Sequence, residues 1–95
     1  MKGILTYLEQ NLSNIIEDIF YIVASESPSK EKQLVDQCGS RIQSLVMKYF
    51  RLSPEIFEDT TFGNHLKYTF GDGEDTILLL AHFDTVWEKG KIQIR

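Results

Sequence analysis

Apolar residues recur at three- and four-residue steps through Leu5, Leu8, Leu12, Ile15, Ile16, Ile19, Phe20 and Val23. That spacing predicts one amphipathic helix from about residue 3 to residue 23. The run Ser25-Glu26-Ser27-Pro28-Ser29 then breaks the stripe. Pro28 disfavours helix at Ser27, and either Ser27 or Ser29 could cap the next helix by accepting backbone N–H bonds. A second helix follows, with Leu34, Val35, Cys38, Ile42, Leu45, Val46, Tyr49 and Phe50 on one face, ending before Ser53-Pro54. Gly39 in its interior costs about 1 kcal/mol against alanine, which points to close packing there.

After Pro54 the period changes. Ile56 to Thr61 reads as a short strand, and Leu66, Tyr68 and Phe70 alternate with Lys67 and Thr69 as a half-buried strand does. Gly71-Asp72-Gly73-Glu74-Asp75 is a turn signal. The continuous apolar run Ile77-Leu78-Leu79-Leu80-Ala81 that follows has the length of a central strand covered on both faces. Lys91 to Arg95 alternates again. The predicted fold class is α/β: two N-terminal helices packed on a mixed sheet. Ending inside a strand-like pattern leaves an unprotected sheet edge, so self-association into a homo-oligomer is expected and the chain reads as incomplete.

Composition narrows the function classes. At 95 residues and 42% hydrophobic, the chain has ordinary globular composition with room for one modest core. A net charge of −4 disfavours nucleic acid or an anionic membrane as partner. Cys38 is the single cysteine, which excludes an internal disulfide and a cysteine-based metal knuckle and fits a reducing compartment. Glu9, Glu17 and Asp18 interrupt the N-terminal apolar pattern before it can serve as a signal peptide, and no run is long enough to span a bilayer. A cytoplasmic protein with no membrane partner is the expectation.

The candidate chemistry lies in Ala81-His82-Phe83-Asp84-Thr85-Val86-Trp87-Glu88-Lys89-Gly90. His82 sits where the apolar run gives way to a polar loop, the position at which ligands gather in open α/β sheets. A neutral imidazole there can offer a ring nitrogen to a metal. Asp84, two residues on, shares its side of an extended chain and could fix the histidine tautomer. The spacing alone leaves a second reading open, an ordinary hydrogen-bonded histidine at a strand end.

The block His82-Phe83-Asp84-Thr85-Val86 with Gly90, preceded by Ile77-Leu78-Leu79-Leu80, resembles a signature of the co-catalytic zinc peptidases and amidohydrolases. That group includes glutamate carboxypeptidase, aminoacylase, acetylornithine deacetylase and succinyl-diaminopimelate desuccinylase. Ser27-Pro28-Ser29 between two helices is similar to the opening of the same family. The resemblance covers nearly all of the chain in layout, and its motifs are concentrated in residues 77–90. Ala81 departs from it where glycine is common, and Glu88-Lys89 where proline often stands.

The resemblance implies that residues 1–95 are the N-terminal, incomplete segment of a metallopeptidase catalytic domain. His82 would be a zinc ligand and Asp84 the catalytic acidic residue that orients it. Thr85, Val86 and Gly90 would shape the loop, and Trp87 would face substrate or a lid. The complete enzyme would hold two zinc ions and hydrolyse a peptide or N-acyl amino acid by metal-activated water. Its further ligands, a bridging aspartate, a glutamate pair, another acidic residue and a second histidine, have no matching positions in this chain. A catalytic zinc takes about three protein ligands and a water, so the chain by itself is expected to be inactive. The alternative is a non-catalytic interaction or binding module with a degenerate site.

Other residues have plainer readings. His65 in Phe62-Gly63-Asn64-His65-Leu66 reads as a surface histidine, and Cys38 as a buried, inert thiol. Asp72, Glu74 and Asp75 read as a solvated turn, since the ligand spacing of a calcium loop is lacking. Tyr7, Tyr21, Tyr49 and Phe50 are expected to fill the interface between helices and sheet.

Overall fold

The fold is described by a computed structural model covering residues 2–90, in which three helices precede a small antiparallel hairpin. Helix α1 runs over Lys2–Gln10, α2 over Leu12–Val23 and α3 over Lys32–Phe50; strands β1, Glu55–Phe57, and β2, His65–Lys67, complete the order. This is a mixed α/β arrangement. No helix among the described residues is long and apolar enough to cross a membrane.

The single N-terminal helix expected from the apolar stripe is two helices. Asn11 leaves helical geometry at φ −107° and ψ 11°. Its backbone N–H still donates to Tyr7 O at 3.0 Å, its side chain donates to the same carbonyl at 2.9 Å, and Ile15 N–H reaches Asn11 O at 2.9 Å. A short polar side chain that competes for backbone groups bends the helix without severing its hydrogen-bond ladder.

Helix α3 ends where expected, ahead of Ser53-Pro54. Arg51, at φ 54°, closes it in the left-handed conformation, its N–H bonded to Met47 O at 3.0 Å. The helix begins differently from expectation: Glu31 is the residue at its N-terminus, with no side-chain cap. Ser27 and Ser29 do not cap it because their hydroxyls are engaged elsewhere.

Strands β1 and β2 pair with Glu55 opposite Lys67, Ile56 opposite Leu66 and Phe57 opposite His65. The loop between them is tied to the first turns of α3. Lys32 Nζ donates to Asp36 Oδ2 at 2.8 Å and to Asn64 Oδ1 at 2.7 Å, while Asn64 N–H donates to Asp36 Oδ1 at 2.8 Å. Partial burial raises the Asp36 pKa, but the Lys32 and Asn64 hydrogen bonds and the Lys32 charge outweigh it and hold the carboxyl below its ordinary value. In the same loop Asp59 Oδ1 accepts from Thr61 N–H at 2.8 Å and Phe62 N–H at 2.7 Å, which lowers its pKa as well. Gly63 lies flat on α3: a Cβ there would stand 2.1 Å from Val35 Cγ1.

The core is small. Val35 and Cys38 are the buried apolar residues among those described. The radius of gyration is 15.3 Å, against about 12 Å for a compact domain of this length. The apolar faces of α1 and α2 are largely open, and Tyr7, Tyr21, Tyr49 and Phe50 are exposed rather than packed between helices and sheet. Arg41 instead lies over the Tyr21 ring at 4.8 Å and donates to Tyr21 O at 2.6 Å, Tyr49 Oη donates to Asp18 Oδ2 at 2.5 Å, and Phe50 meets Phe70 edge to face at 5.2 Å.

The expected central strand is the largest correction. Ile77, Leu78, Leu79 and Leu80 form no strand and are 87, 75, 88 and 86% exposed. A two-sided strand needs a neighbouring strand and a layer on each face. The described residues offer none of these at residues 77–80, so the expected mixed sheet reduces to the β1–β2 hairpin and one isolated parallel bridge, Pro28 to Thr85. The alternating run from Lys91 to Arg95 lies outside the described residues.

Candidate functional site

That isolated bridge joins the two stretches in which the candidate chemistry is concentrated. Thr85 N–H donates to Ser27 O at 2.8 Å and Ser29 N–H donates to Thr85 O at 2.8 Å. Parallel pairing of this kind uses the backbone groups on either side of the central residue. Pro28 can therefore occupy the centre although it has no N–H. Its own carbonyl accepts from Glu31 N–H at 2.9 Å, turning the chain into α3.

The serine side chains extend the seam. Ser27, 3% exposed, donates from Oγ to Phe83 O at 2.5 Å. Ser29 Oγ lies 2.7 Å from Asp84 Oδ2 and 2.9 Å from Thr85 O. Glu26 Oε1 accepts from Gly90 N–H at 2.8 Å and ties down the far end of the loop, where Gly90 takes φ 88°. The Phe83 ring reaches over Gly39 of α3, where an added Cβ would meet Phe83 Cζ at 3.4 Å. Gly39 thus sits where a helix and a ring approach closely, as its place inside the apolar stripe implies.

Phe83 also forms one wall of an open cleft of about 230 Å³ lined by Asp36, Gly39, Ser40, Asn64 and Leu66. His82 and Asp84 do not line it. They lie on the exposed side of the seam, with His82 Nδ1 3.9 Å from Asp84 Oδ1 and side chains 92 and 40% exposed. At that distance the pair is an electrostatic contact rather than a hydrogen bond. One oxygen of Asp84 is held by Ser29, the other faces the imidazole, and the ring remains open to solvent.

Sequence spacing brought His82 and Asp84 together, and the structure keeps them adjacent. No group of three His, Cys, Asp or Glu side chains among the described residues could hold a metal ion. One imidazole and one carboxylate make up only part of a catalytic zinc site. Among the other loop residues, Val86 and Trp87 are exposed at 91 and 60%, and Thr85 Oγ1 is shielded from water without a hydrogen-bond partner among the described residues. His65 is exposed on β2, as expected of a surface histidine. Cys38 is buried; burial raises its pKa, only partly offset by the Ser27 hydroxyl and the Arg41 charge, so it is a poor nucleophile.

Sequence reasoning missed the direct engagement of Ser29 with Asp84. The signal was the pair of hydroxyls flanking Pro28, a residue that blocks ordinary helix continuation and leaves its neighbours free for other partners. Comparison with protein-family models, with curated proteins and with solved structures returned no match.

Proposed function

We propose that this chain is the N-terminal part of a zinc-dependent metallopeptidase or amidohydrolase acting on a peptide or N-acyl amino acid. His82 serves as a metal ligand and Asp84 as the carboxylate that orients it. The observation that supports this reading best is the seam. Ser27-Pro28-Ser29 and His82-Phe83-Asp84-Thr85, the two motifs that carry the family resemblance, meet although Ser29 and Asp84 are 55 residues apart in sequence, with Asp84 between Ser29 and His82. A polar seam that orders a solvent-facing His–Asp pair suits a site that must present a ring nitrogen outward.

Bound zinc supplies polarisation of the scissile carbonyl and activation of a water molecule. This chain's own residues contribute one donor and its orienting carboxylate. Further acidic and histidine ligands must come from elsewhere in a working enzyme, so no turnover is expected from residues 1–95 alone. Two zinc ions belong to the complete site in this reading, and a cytoplasmic setting goes with it.

The reading is tested by adding Zn²⁺ to the isotopically labelled chain and following both histidine rings by NMR. Preferential perturbation of His82 over His65, abolished in Asp84→Asn, is the expected result. In a polypeptide that also carries the missing ligands, His82→Ala should abolish hydrolysis of dipeptides and N-acyl amino acids and lower bound zinc. Equal or no response of the two rings would overturn the reading. That outcome would favour a non-catalytic interaction module, to which the exposed aliphatic residues at 77–80 lend specific support.

A further inference from the structure

We propose that Ser29 is a positioning residue, whose hydroxyl locks the Asp84 carboxylate so that its free oxygen selects the Nδ1–H tautomer of His82 and leaves Nε2 as the outward donor. Ser29 has one hydroxyl proton and two acceptors within reach. Ser29 Oγ lies within hydrogen-bond distance of both Asp84 Oδ2, at 2.7 Å, and Thr85 O, at 2.9 Å, but a hydroxyl has a single hydrogen to give. Thr85 O already accepts from Ser29's own amide at 2.8 Å and keeps one further lone pair. The hydroxyl proton goes to Asp84, whose charge makes it the stronger acceptor and whose oxygen is the nearer.

That bond removes the rotational freedom of an otherwise half-exposed carboxylate. Both of its ends are then defined: Oδ2 on Ser29, and Oδ1 directed at His82 Nδ1 from 3.9 Å. The histidine, at 92% side-chain exposure, is the more exposed member of the pair. Nδ1 is the ring nitrogen in electrostatic contact with that carboxylate oxygen, whose fixed negative charge favours a proton on Nδ1 over Nε2. The partner of one ring nitrogen decides which nitrogen carries the proton, so fixing Asp84 fixes the tautomer. Ser29 is itself held at both its amide and its hydroxyl across the Pro28–Thr85 bridge, so α3 and the preceding turn set the geometry at His82 from a distance.

The inference rests on the metallohydrolase reading only for the use to which the free Nε2 is put; the link from Ser29 to the tautomer is independent of it. The test is ¹⁵N NMR of both imidazole rings in the metal-free chain, at a pH about two units above the usual histidine value. His65, on β2, is the comparison ring; its charged neighbour is Asp59 and not Asp84, so its tautomer should be indifferent to Ser29. Wild type is expected to show His82 enriched in Nδ1–H relative to His65. Ser29→Ala should lower that enrichment by about twofold or more, Ser29→Thr should restore it, and Asp84→Asn should abolish it. Protection of the hydrogen-bonded Thr85 and Ser29 amides from exchange, equal to that in wild type, certifies that the seam is intact.

Should Ser29→Ala lose those amides, Ser29→Thr against Ser29→Val compares near-isosteric side chains with and without the hydroxyl. An unchanged tautomer ratio in an intact Ser29→Ala or Ser29→Val seam overturns the proposal. So does collapse of the seam in both, which would make the hydroxyl structural. A tautomer that responds to Ser29 with no Zn²⁺ response at His82 leaves this inference standing and removes the metallohydrolase reading. Zn²⁺ binding at His82 with a tautomer indifferent to Ser29 does the reverse.

Discussion

Ile77–Leu80 carry four aliphatic side chains and remain 75–88% exposed, whereas Phe83–Thr85, three residues further on, are bonded to Ser27 and Ser29 at every position. The more hydrophobic stretch is the less ordered by its surroundings. At about 1.5–3 kcal/mol for each fully buried aliphatic side chain, the run leaves on the order of 6–12 kcal/mol unrealised. Hydrophobic burial is non-directional and needs a second surface to act on. Backbone pairing and serine hydroxyls are directional, and two short segments suffice to satisfy them.

The contrast can be broken most severely at the support beneath the seam. Gly63→Ala puts a methyl group 2.1 Å from Val35 Cγ1 and 2.8 Å from its Cβ, so loop or helix must move. We expect a loss of about 3 kcal/mol in urea unfolding. An unaffected midpoint would show that the loop between β1 and β2 does not rest on α3. Next in size is Ser27→Ala, which removes a buried donor and leaves Phe83 O without its 2.5 Å bond. A cost of about 1–3 kcal/mol is expected, with faster amide exchange at Thr85 as its local signature.

The seam also contains a hydroxyl whose removal should act in the opposite direction. Thr85 Oγ1 is shielded and unpartnered among the described residues, so Thr85→Val should be neutral or stabilise by up to about 1 kcal/mol. Destabilisation comparable with Ser27→Ala would mean that Oγ1 has a partner after all. The smallest effect on unfolding should come from the aliphatic run. Leu79→Ser is expected to change stability by less than about 0.5 kcal/mol, because the side chain is 88% exposed already. The same substitution should reduce self-association in sedimentation velocity, and a monomeric wild type at high concentration would remove the basis for that expectation.

Local signals were read correctly where they were also local in cause. Helix α3 was legible in spite of Gly39 because its apolar stripe and Pro54 act within a few turns of chain. Strand character around Leu66 was legible in its alternation with polar neighbours, and around Ile56 in the change of period after Pro54. The adjacency of His82 and Asp84 followed from a two-residue step. The kink at Asn11 was lost inside an unbroken apolar stripe, because one side-chain amide competing for Tyr7 O leaves no mark on that pattern.

The helical preface, the break at Ser25–Ser29, the change to strand-like segments after Pro54 and a His–Asp pair two residues apart were determined by the sequence alone. Only the tertiary structure decided that Ser27 and Ser29 bond to residues 83–85 instead of capping α3, and that Ile77–Leu80 remain uncovered. The physical reason is the reach of each interaction. Periodicity and turn chemistry act over a few neighbours, whereas a hydroxyl's choice of acceptor and a strand's burial depend on what the fold brings beside them from some fifty residues away.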